Sequence, residues 1–418
     1  MTVRLTPQKI NRLVGECNML LEKEHASIRD VAKVIGLMMS SAPGVEYAQL
    51  FIKGLEIEKS KALVMQKGNF DAYMAITPNM KSDLLWWVDN LPHEVRYINK
   101  GNCDIEIASD ASNHGWGASY SNKRTGGRWN IQEALHHINY LELLAAFFAL
   151  KSFCRSFSDL HVKLLVDNTT AVAYINHMGG VRSILCNKVT KDIWLWCRNR
   201  NIWLTAAHIP GASNVEADHE SRSFHDETEW KLNSQIFFKI ACILGNPSID
   251  LFASRLNTQL AVFASWRPDP DAKYIDAFTF SWHDTNFYAF PPFSLIGRCL
   301  QKATMDKAEG IIVAPIWPTQ PWFAQLLRMI VATPIVLPRK DNLLQSPIKG
   351  KLHPLWRKMT LMACKISGHH WKSAEFLQRQ PLLCYSLGER AQRNSTLPIQ
   401  GSGYSFVVKS RRILFTQM

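Results

Sequence analysis

The spacing of apolar side chains changes along the chain, and each change predicts a different kind of structure. Within residues 1–100 apolar positions recur every three or four residues, as at Leu13 and Cys17, which is the period of one helix face. Ser27 and Thr77 precede two further runs of this kind, and both residue types cap helix N-termini. The first hundred residues are therefore predicted to form a small helical unit.

From Cys103 onward the apolar period becomes two, which indicates a half-buried strand. Two more short strands follow after turn residues. The later elements are predicted as a helix at 138–154, a strand at 161–167, helices at 168–178 and 183–200, a strand at 202–210 and a helix from Ser213. This β-β-β-α-β-α-α-β-α order predicts an α/β domain over residues 101–225, with a mixed five-stranded sheet and helices on both faces.

Beyond this domain the pattern becomes weaker and the charge changes. Residues 226–342 contain short strand-like runs, Pro-rich turns and a helix near 294–308, and we predict a smaller α/β unit there. Residues 343–418 are predicted to be an irregular basic tail, because they carry 12 − 2 = +10 of the net charge of 48 − 35 = +13. Such a segment attracts nucleic acid through counterion release, but it is also typical of a solubilising chain end.

Composition excludes several classes of protein. Nine cysteines are scattered without a C-x-x-C pair, which fits neither a zinc knuckle nor a disulfide scaffold. The N-terminus lacks the apolar run of a signal peptide, and five prolines interrupt the most apolar stretch, 311–338. We therefore expect an intracellular protein, cytoplasmic or nuclear, that has no membrane partner.

The predicted topology brings four acidic side chains to one edge of the sheet. Asp110 and Asp167 stand near the ends of two parallel strands, while Glu142 and Asp218 lie on helices that begin at the same edge. Carboxylates this close raise each other's pKa unless a cation neutralises them, and oxygen ligands favour Mg²⁺, with Mn²⁺ as a substitute. Two such ions would suit cleavage of a phosphodiester by water.

The residues around these acids resemble a known family. Four runs are similar to the four acidic motifs of type 1 ribonuclease H: IASDAS, NYLELLAA, LLVDNTTAVAYIN and HIPGASNVEADHESR. Their sequences most resemble those of DIRS-like retrotransposon polyproteins. The resemblance implies a ribonuclease H fold and cleavage of the RNA strand of RNA/DNA hybrids. It also implies that Asp110, Glu142, Asp167 and Asp218 are the catalytic and metal-binding residues.

Other side chains near this edge have two interpretations each. Asn168 is equally well placed to contact a nucleic acid strand or to cap the next helix. We favour a structural role for His208 over proton transfer, and packing on the sheet for Trp116 and Trp129 over stacking on the hybrid. His136 and His137 could approach the hybrid, but a pair of His residues at a helix start is more often only solvated.

The flanking segments extend the resemblance. Residues 6–100 resemble the thumb and connection of the polymerase in the same elements, but the catalytic polymerase segment is missing, so a polymerase-bearing partner is expected. Residues 249–325 resemble an adenine-N6 methyltransferase domain. Active adenine methylases place Asn or Asp before Pro-Pro-aromatic, whereas Phe290 stands there in this chain and accepts no hydrogen bond. We therefore expect neither methyl transfer nor a role for S-adenosylmethionine.

Three hypotheses of function remain at this point. The first is a ribonuclease H that acts in retrotransposon reverse transcription, and the four intact acids favour it. The second is a catalytically silent nucleic-acid-binding remnant of a retroelement, and the third is a DNA adenine methyltransferase-like protein, against which Phe290 argues.

Overall fold

The structure is a computed structural model that describes residues 1–224, 230–346, 351–382 and 404–418. Contacts divide the chain into two units, Met1–Phe224 and His225–Met418. The helices of the first unit are α1 (Pro7–Leu21), α2 (Ile28–Ser41), α3 (Lys53–Met65), α4 (Pro78–Asn90), α5 (Ile138–Cys154), α6 (Thr169–Asn176), α7 (Ile184–Arg198) and α8 (Val215–Arg222). Its strands are β1 (Thr2–Val3), β2 (His25–Ser27), β3 (Tyr73–Ala75), β4 (Arg96–Tyr97), β5 (Ile105–Ala111), β6 (Gly115–Tyr120), β7 (Lys123–Arg128), β8 (His161–Val166) and β9 (Trp203–His208).

The N-terminal helices begin where the sequence supplies caps. The Ser27 hydroxyl accepts from the Asp30 N–H at 3.1 Å, and the Thr77 hydroxyl accepts from the Met80 N–H at 3.3 Å. Helix α3 was not expected from the sequence. It buries only Leu55 and Ile57, so its apolar period is too weak to be distinguished from a loop.

The mixed five-stranded sheet predicted for the first unit is confirmed. Its strand order is β7-β6-β5-β8-β9, with β5–β6 and β6–β7 antiparallel and β5–β8 and β8–β9 parallel. In the β5–β8 pair Ser109 lies opposite Val166, so the residues that follow them, Asp110 and Asp167, are neighbours at the carboxyl edge. A single buried apolar cluster joins Trp87 of the helical part to Ile107 of the sheet.

The second unit also contains a mixed sheet. Its strands are β10 (Lys231–Leu232), β11 (Ile249–Asp250), β12 (Ala264–Ser265), β13 (Tyr274–Ile275), β14 (Asn286–Ala289), β15 (Glu309–Pro315), β16 (Ile335–Val336), β17 (Leu344–Gln345), β18 (Leu361–Ser367), β19 (Ser405–Val408), β20 (Arg411–Leu414) and β21 (Thr416–Gln417). Its helices are α9 (Ser234–Leu244), α10 (Ile296–Met305), α11 (Pro321–Met329) and α12 (His370–Gln378). The main sheet has the order β11-β14-β15-β18-β16-β21.

The prediction that residues 343–418 are an irregular tail is wrong for β18. This strand pairs with β15 over seven residues and with β16 on its other side, and six of its seven side chains are buried. The local sequence LMACKIS is apolar except for Lys365, but the basic residues around it conceal that short run. Residues 347–350 and 383–403 of the predicted tail lie outside the described residues.

Among the described residues no helix combines the length and the apolar character needed to cross a membrane.

Candidate metal centre

Two acids of the site come from adjacent parallel strands. Asp110 is the sixth residue of β5, and only 3% of its surface is exposed. Asp167 follows the last residue of β8 and is half-buried. The register places both residues at the edge where the two strands end, so the sheet itself sets the separation of their backbones at that of neighbouring strands.

The third acid comes from the helix that packs on this sheet. Helix α5 begins at Ile138, where the His137 ring nitrogen Nδ1 accepts from the Asn139 N–H at 3.2 Å. Glu142 lies in the second turn of α5 and is 4% exposed. The helix buries twelve of its side chains because its sequence is apolar on nearly every face, and this fixes Glu142 against the sheet edge.

The structure brings these three carboxyl groups together. One carboxylate oxygen from each of Asp110, Glu142 and Asp167 lies within 4.8 Å of the other two. Asp110 Oδ2 and Glu142 Oε2 are buried and receive no hydrogen bond from the described residues. A buried oxygen without a donor costs free energy, and a bound cation removes that cost. An all-oxygen cluster with such oxygens fits Mg²⁺ or Mn²⁺.

The electrostatics of the cluster also favour a bound cation. Burial, together with the nearby charges of Asp110 and Asp167, raises the pKa of Glu142 to about 9, although a hydrogen bond from the Ala111 N–H opposes this shift. Burial likewise raises the pKa of Asp110, while a hydrogen bond with the Ser221 hydroxyl lowers it. Without a cation the site therefore disfavours the full negative charge of its own carboxylates.

Asp218 does not belong to this cluster, contrary to the prediction of four gathered acids. It lies on α8, its side chain is 43% exposed, and its Oδ1 accepts from Arg222 Nε at 2.8 Å. The negative charge of Asp218 still contributes to the raised pKa of Asp110, so the two side chains are close enough to interact. The ion pair with Arg222 explains why the Asp218 carboxylate is not available to the other three.

Arg222 and Ser221 are the residues near this site that the sequence argument missed. Arg222 stands four positions after Asp218, which is the spacing of a helical ion pair, and that signal was present in DHESR. Ser221 has no comparable signal, since its contact with Asp110 depends on how α8 packs against the sheet.

The structure assigns a structural role to most of the other side chains considered near this edge. The Asn168 side-chain oxygen accepts from the Ala171 N–H at 2.9 Å, so Asn168 caps α6. His137 caps α5, as described above. Trp116 and Trp129 are 2% and 6% exposed, and stacking of either ring on a nucleic acid is therefore excluded. His208 is exposed, with its Nε2 at 3.1 Å from the Asp167 carbonyl oxygen.

The second unit places Phe290 beside a cavity. This cavity, of about 380 Å³, lies past the carboxyl ends of β11 and β14, and Phe290 and Pro292 contribute to its wall together with Trp266 and Asp276. Crevices at the carboxyl ends of parallel strands are frequent ligand sites. The apolar Phe290 ring leaves the position before Pro291 without a hydrogen-bond acceptor.

Comparison with known proteins gives similarity to solved structures alone. No protein-family model matches the chain, and no curated protein is significantly similar to it. RNase H1 from the halophilic archaeon Halobacterium salinarum NRC-1 is 17% identical over 28% of this chain and 92% of that chain, with a TM-score of 0.24. LC11-RNase H1, solved with an RNA/DNA hybrid, is 18% identical over 28% and 93%, with a TM-score of 0.25. The foamy viral protease-reverse transcriptase, also solved with an RNA/DNA hybrid, is 12% identical over 49% of this chain and 27% of that chain, with a TM-score of 0.19.

Proposed function

We propose that the first unit is a divalent-metal-dependent nuclease that cleaves the RNA strand of RNA/DNA hybrids during reverse transcription of a retroelement. The observation that carries this proposal is the cluster of Asp110, Glu142 and Asp167, whose carboxylate oxygens lie within 4.8 Å of one another. Two of these side chains are almost fully buried and keep oxygens without a donor. If the cluster served only to stabilise the fold, the free-energy cost of burying these carboxylates would remain uncompensated.

The residues that would hold the cations are Asp110, Glu142 and Asp167, with Asp218 as a further ligand once it leaves Arg222. When bound, such cations lower the pKa of a water and stabilise the charge that develops on the leaving oxygen. The protein contributes a rigid frame, because β5 and β8 are paired in register and α5 is packed along its length. Rigid placement matters since an in-line displacement tolerates little error in the position of the reacting groups.

The choice of substrate rests on the resemblance of the four acidic motifs to type 1 ribonuclease H. A hybrid is distinguished from duplex DNA by the width of its minor groove and by the 2′-hydroxyls of one strand. The DNA polymerase activity would come from a partner, and exposed cations of residues 343–418 would add affinity that does not depend on sequence.

The test is cleavage of an end-labelled RNA/DNA hybrid by the full chain in Mg²⁺, beside duplex DNA, duplex RNA and an EDTA control. We expect cuts in the RNA strand of the hybrid and none in EDTA. E106Q is the matched control for variants of the cluster such as D110N. Glu106 lies on the same strand as Asp110 but is exposed and paired with Lys163. Equal cleavage of duplex DNA would contradict the assigned substrate.

For the second unit, the proposal is a methyltransferase-like fold without methyl transfer. The parallel strands β11, β14 and β15 and the cavity beside Phe290 are compatible with that fold. The acceptor that would orient a target amino group is absent at Phe290.

A further inference from the structure

We propose that Arg222 competes with a divalent cation for the carboxylate of Asp218, so that Arg222 sets the affinity of the metal centre for its second cation. The inference rests on the proposed function, since it concerns the same cluster of acids. It makes Arg222 a positioning residue that acts through Asp218.

The backbone that carries Asp218 is fixed, so only its side chain can change partner. Helix α8 lies directly on β6 and β7, where Gly117 and Gly126 leave no room for a side chain. A Cβ on Gly117 would lie 2.1 Å from the Ala217 carbonyl oxygen. The Ser112 hydroxyl also donates to the Ser221 carbonyl oxygen at 2.7 Å. Movement of Asp218 toward the cluster is therefore a rotation of its side chain and not a shift of the helix.

The ion pair that holds this side chain is well formed but open to solvent. Both Nε and Nη2 of Arg222 approach the same oxygen, Asp218 Oδ1, at 2.8 and 2.7 Å. The two side chains are 64% and 43% exposed. Exposed pairs of this kind contribute little stability, so a divalent cation that offers Asp218 a stronger contact can displace the guanidinium.

Arg222 also supplies positive charge to the rest of the cluster. Its charge lowers the pKa of Asp110, and the carboxylates of Asp110 and Asp167 in turn add to the raised pKa of Arg222. The guanidinium thus partly neutralises the acids in the absence of metal. Removal of Arg222 would free Asp218 and remove this competing charge, and both effects favour cation binding.

The test is a calorimetric titration of the full chain with Mn²⁺ alone. The variants are R222Q, D218N, the double variant D218N/R222Q, and R124Q as the matched control. Arg124 lies on β7 and pairs with Glu216 of α8, so R124Q removes the same charge from beside α8 without freeing one of the candidate ligands. Circular dichroism checks that each variant keeps the fold, which is expected because Arg222 is mostly exposed.

We expect R222Q to tighten the weaker of two Mn²⁺ sites by about threefold to tenfold, the range that corresponds to an exposed ion pair and one nearby charge. R124Q should stay within about twofold of the native protein. In the D218N background R222Q should tighten binding distinctly less than in the native background, because only the competing charge near Asp110 is then lost. The inference is overturned if R222Q binds Mn²⁺ no more tightly, or if it tightens binding equally without Asp218. Absence of Mn²⁺ binding to the native chain, in contrast, would contradict the proposed function itself.

Discussion

Glu142 illustrates how much of the site is decided by single side chains. It is the one acid in the sequence of α5, and its burial there would be unfavourable without a compensating charge. Sequence alone predicted that Asp110, Glu142 and Asp167 lie together, as they do in the structure, because each is an acid at a strand end or in an otherwise apolar helix. It could not show that Asp218 is held by Arg222, since that depends on a rotamer and on the packing of α8.

The raised pKa of Glu142 predicts how stability depends on pH in EDTA. The folded protein holds a proton on Glu142 up to about pH 9, whereas the unfolded chain releases it near the ordinary value of 4.5. The free energy of unfolding should therefore decrease as the pH rises between these values. E142Q removes the titrating group and should show a smaller decrease in chemical denaturation from pH 6 to 9, while E106Q should follow the native protein. Identical slopes for E142Q and the native protein would exclude this account.

At the level of elements, strong patterns were read correctly and weak ones were not. The apolar run of α5 and the period of two in β5 leave few alternatives, and both elements lie within a residue or two of their predicted limits. Helix α3 and strand β18 were missed for opposite reasons. The polar composition of α3 hides its small buried face, and the basic surroundings of β18 hide its apolar sequence. Pairing with β15 and β16 stabilises β18, and such long-range contacts are not visible in a local pattern.

Helices α4 and α7 are joined by an ion pair whose acid is buried, and this pair gives a prediction of stability. Lys191 Nζ donates to Asp83 Oδ1 at 2.5 Å, and Asp83 is 1% exposed. K191M leaves that carboxylate buried without its cation and should lower the free energy of unfolding by about 3 kcal/mol. K188M changes an exposed lysine on the same helix and should cost under about 0.5 kcal/mol. Urea denaturation measures both, and equal effects would contradict the role assigned to the pair.

At the scale of the whole molecule, the effect of the basic residues of 343–418 on nucleic-acid binding must be measured without removing the strands that this segment forms. Deletion of these residues would remove β18 from the middle of a sheet, so a truncated chain cannot report on charge alone. Arg357, Lys358 and Lys409 are exposed and can be changed without touching that strand. Their replacement by Gln should reduce the salt dependence of nucleic-acid affinity, by up to about 0.9 in the log–log slope for each cation that contacts a phosphate.

The control for this charge effect is a variant in which Lys9, Arg12 and Lys23 of the first unit are changed to Gln, since these are also exposed. It removes the same net charge from another part of the chain. A salt titration of binding to a labelled hybrid compares the two. If both variants reduce the slope equally, residues 343–418 have no special part in nucleic-acid affinity.

The second unit should not transfer methyl groups. An acceptor that orients the target nitrogen contributes several kcal/mol to such a reaction, and the Phe290 ring supplies none. Incubation of the native chain with labelled S-adenosylmethionine and adenine-containing DNA should leave the DNA unlabelled. F290N restores an acceptor, so weak labelling by that variant alone would identify Phe290 as the sole defect. Labelling of DNA by the native chain would contradict the prediction.

The central claim is that Asp110, Glu142 and Asp167 hold the cations of a nuclease, and the rate of hybrid cleavage by D110N tests it most directly. The Asp110 carboxylate is buried in the cluster, and Asn keeps its shape while it removes one negative ligand. We predict that D110N binds the hybrid as the native chain does but cleaves it on the order of a thousandfold more slowly in Mg²⁺. Cleavage by D110N at the native rate, or no cleavage by the native chain in either Mg²⁺ or Mn²⁺, would contradict the claim.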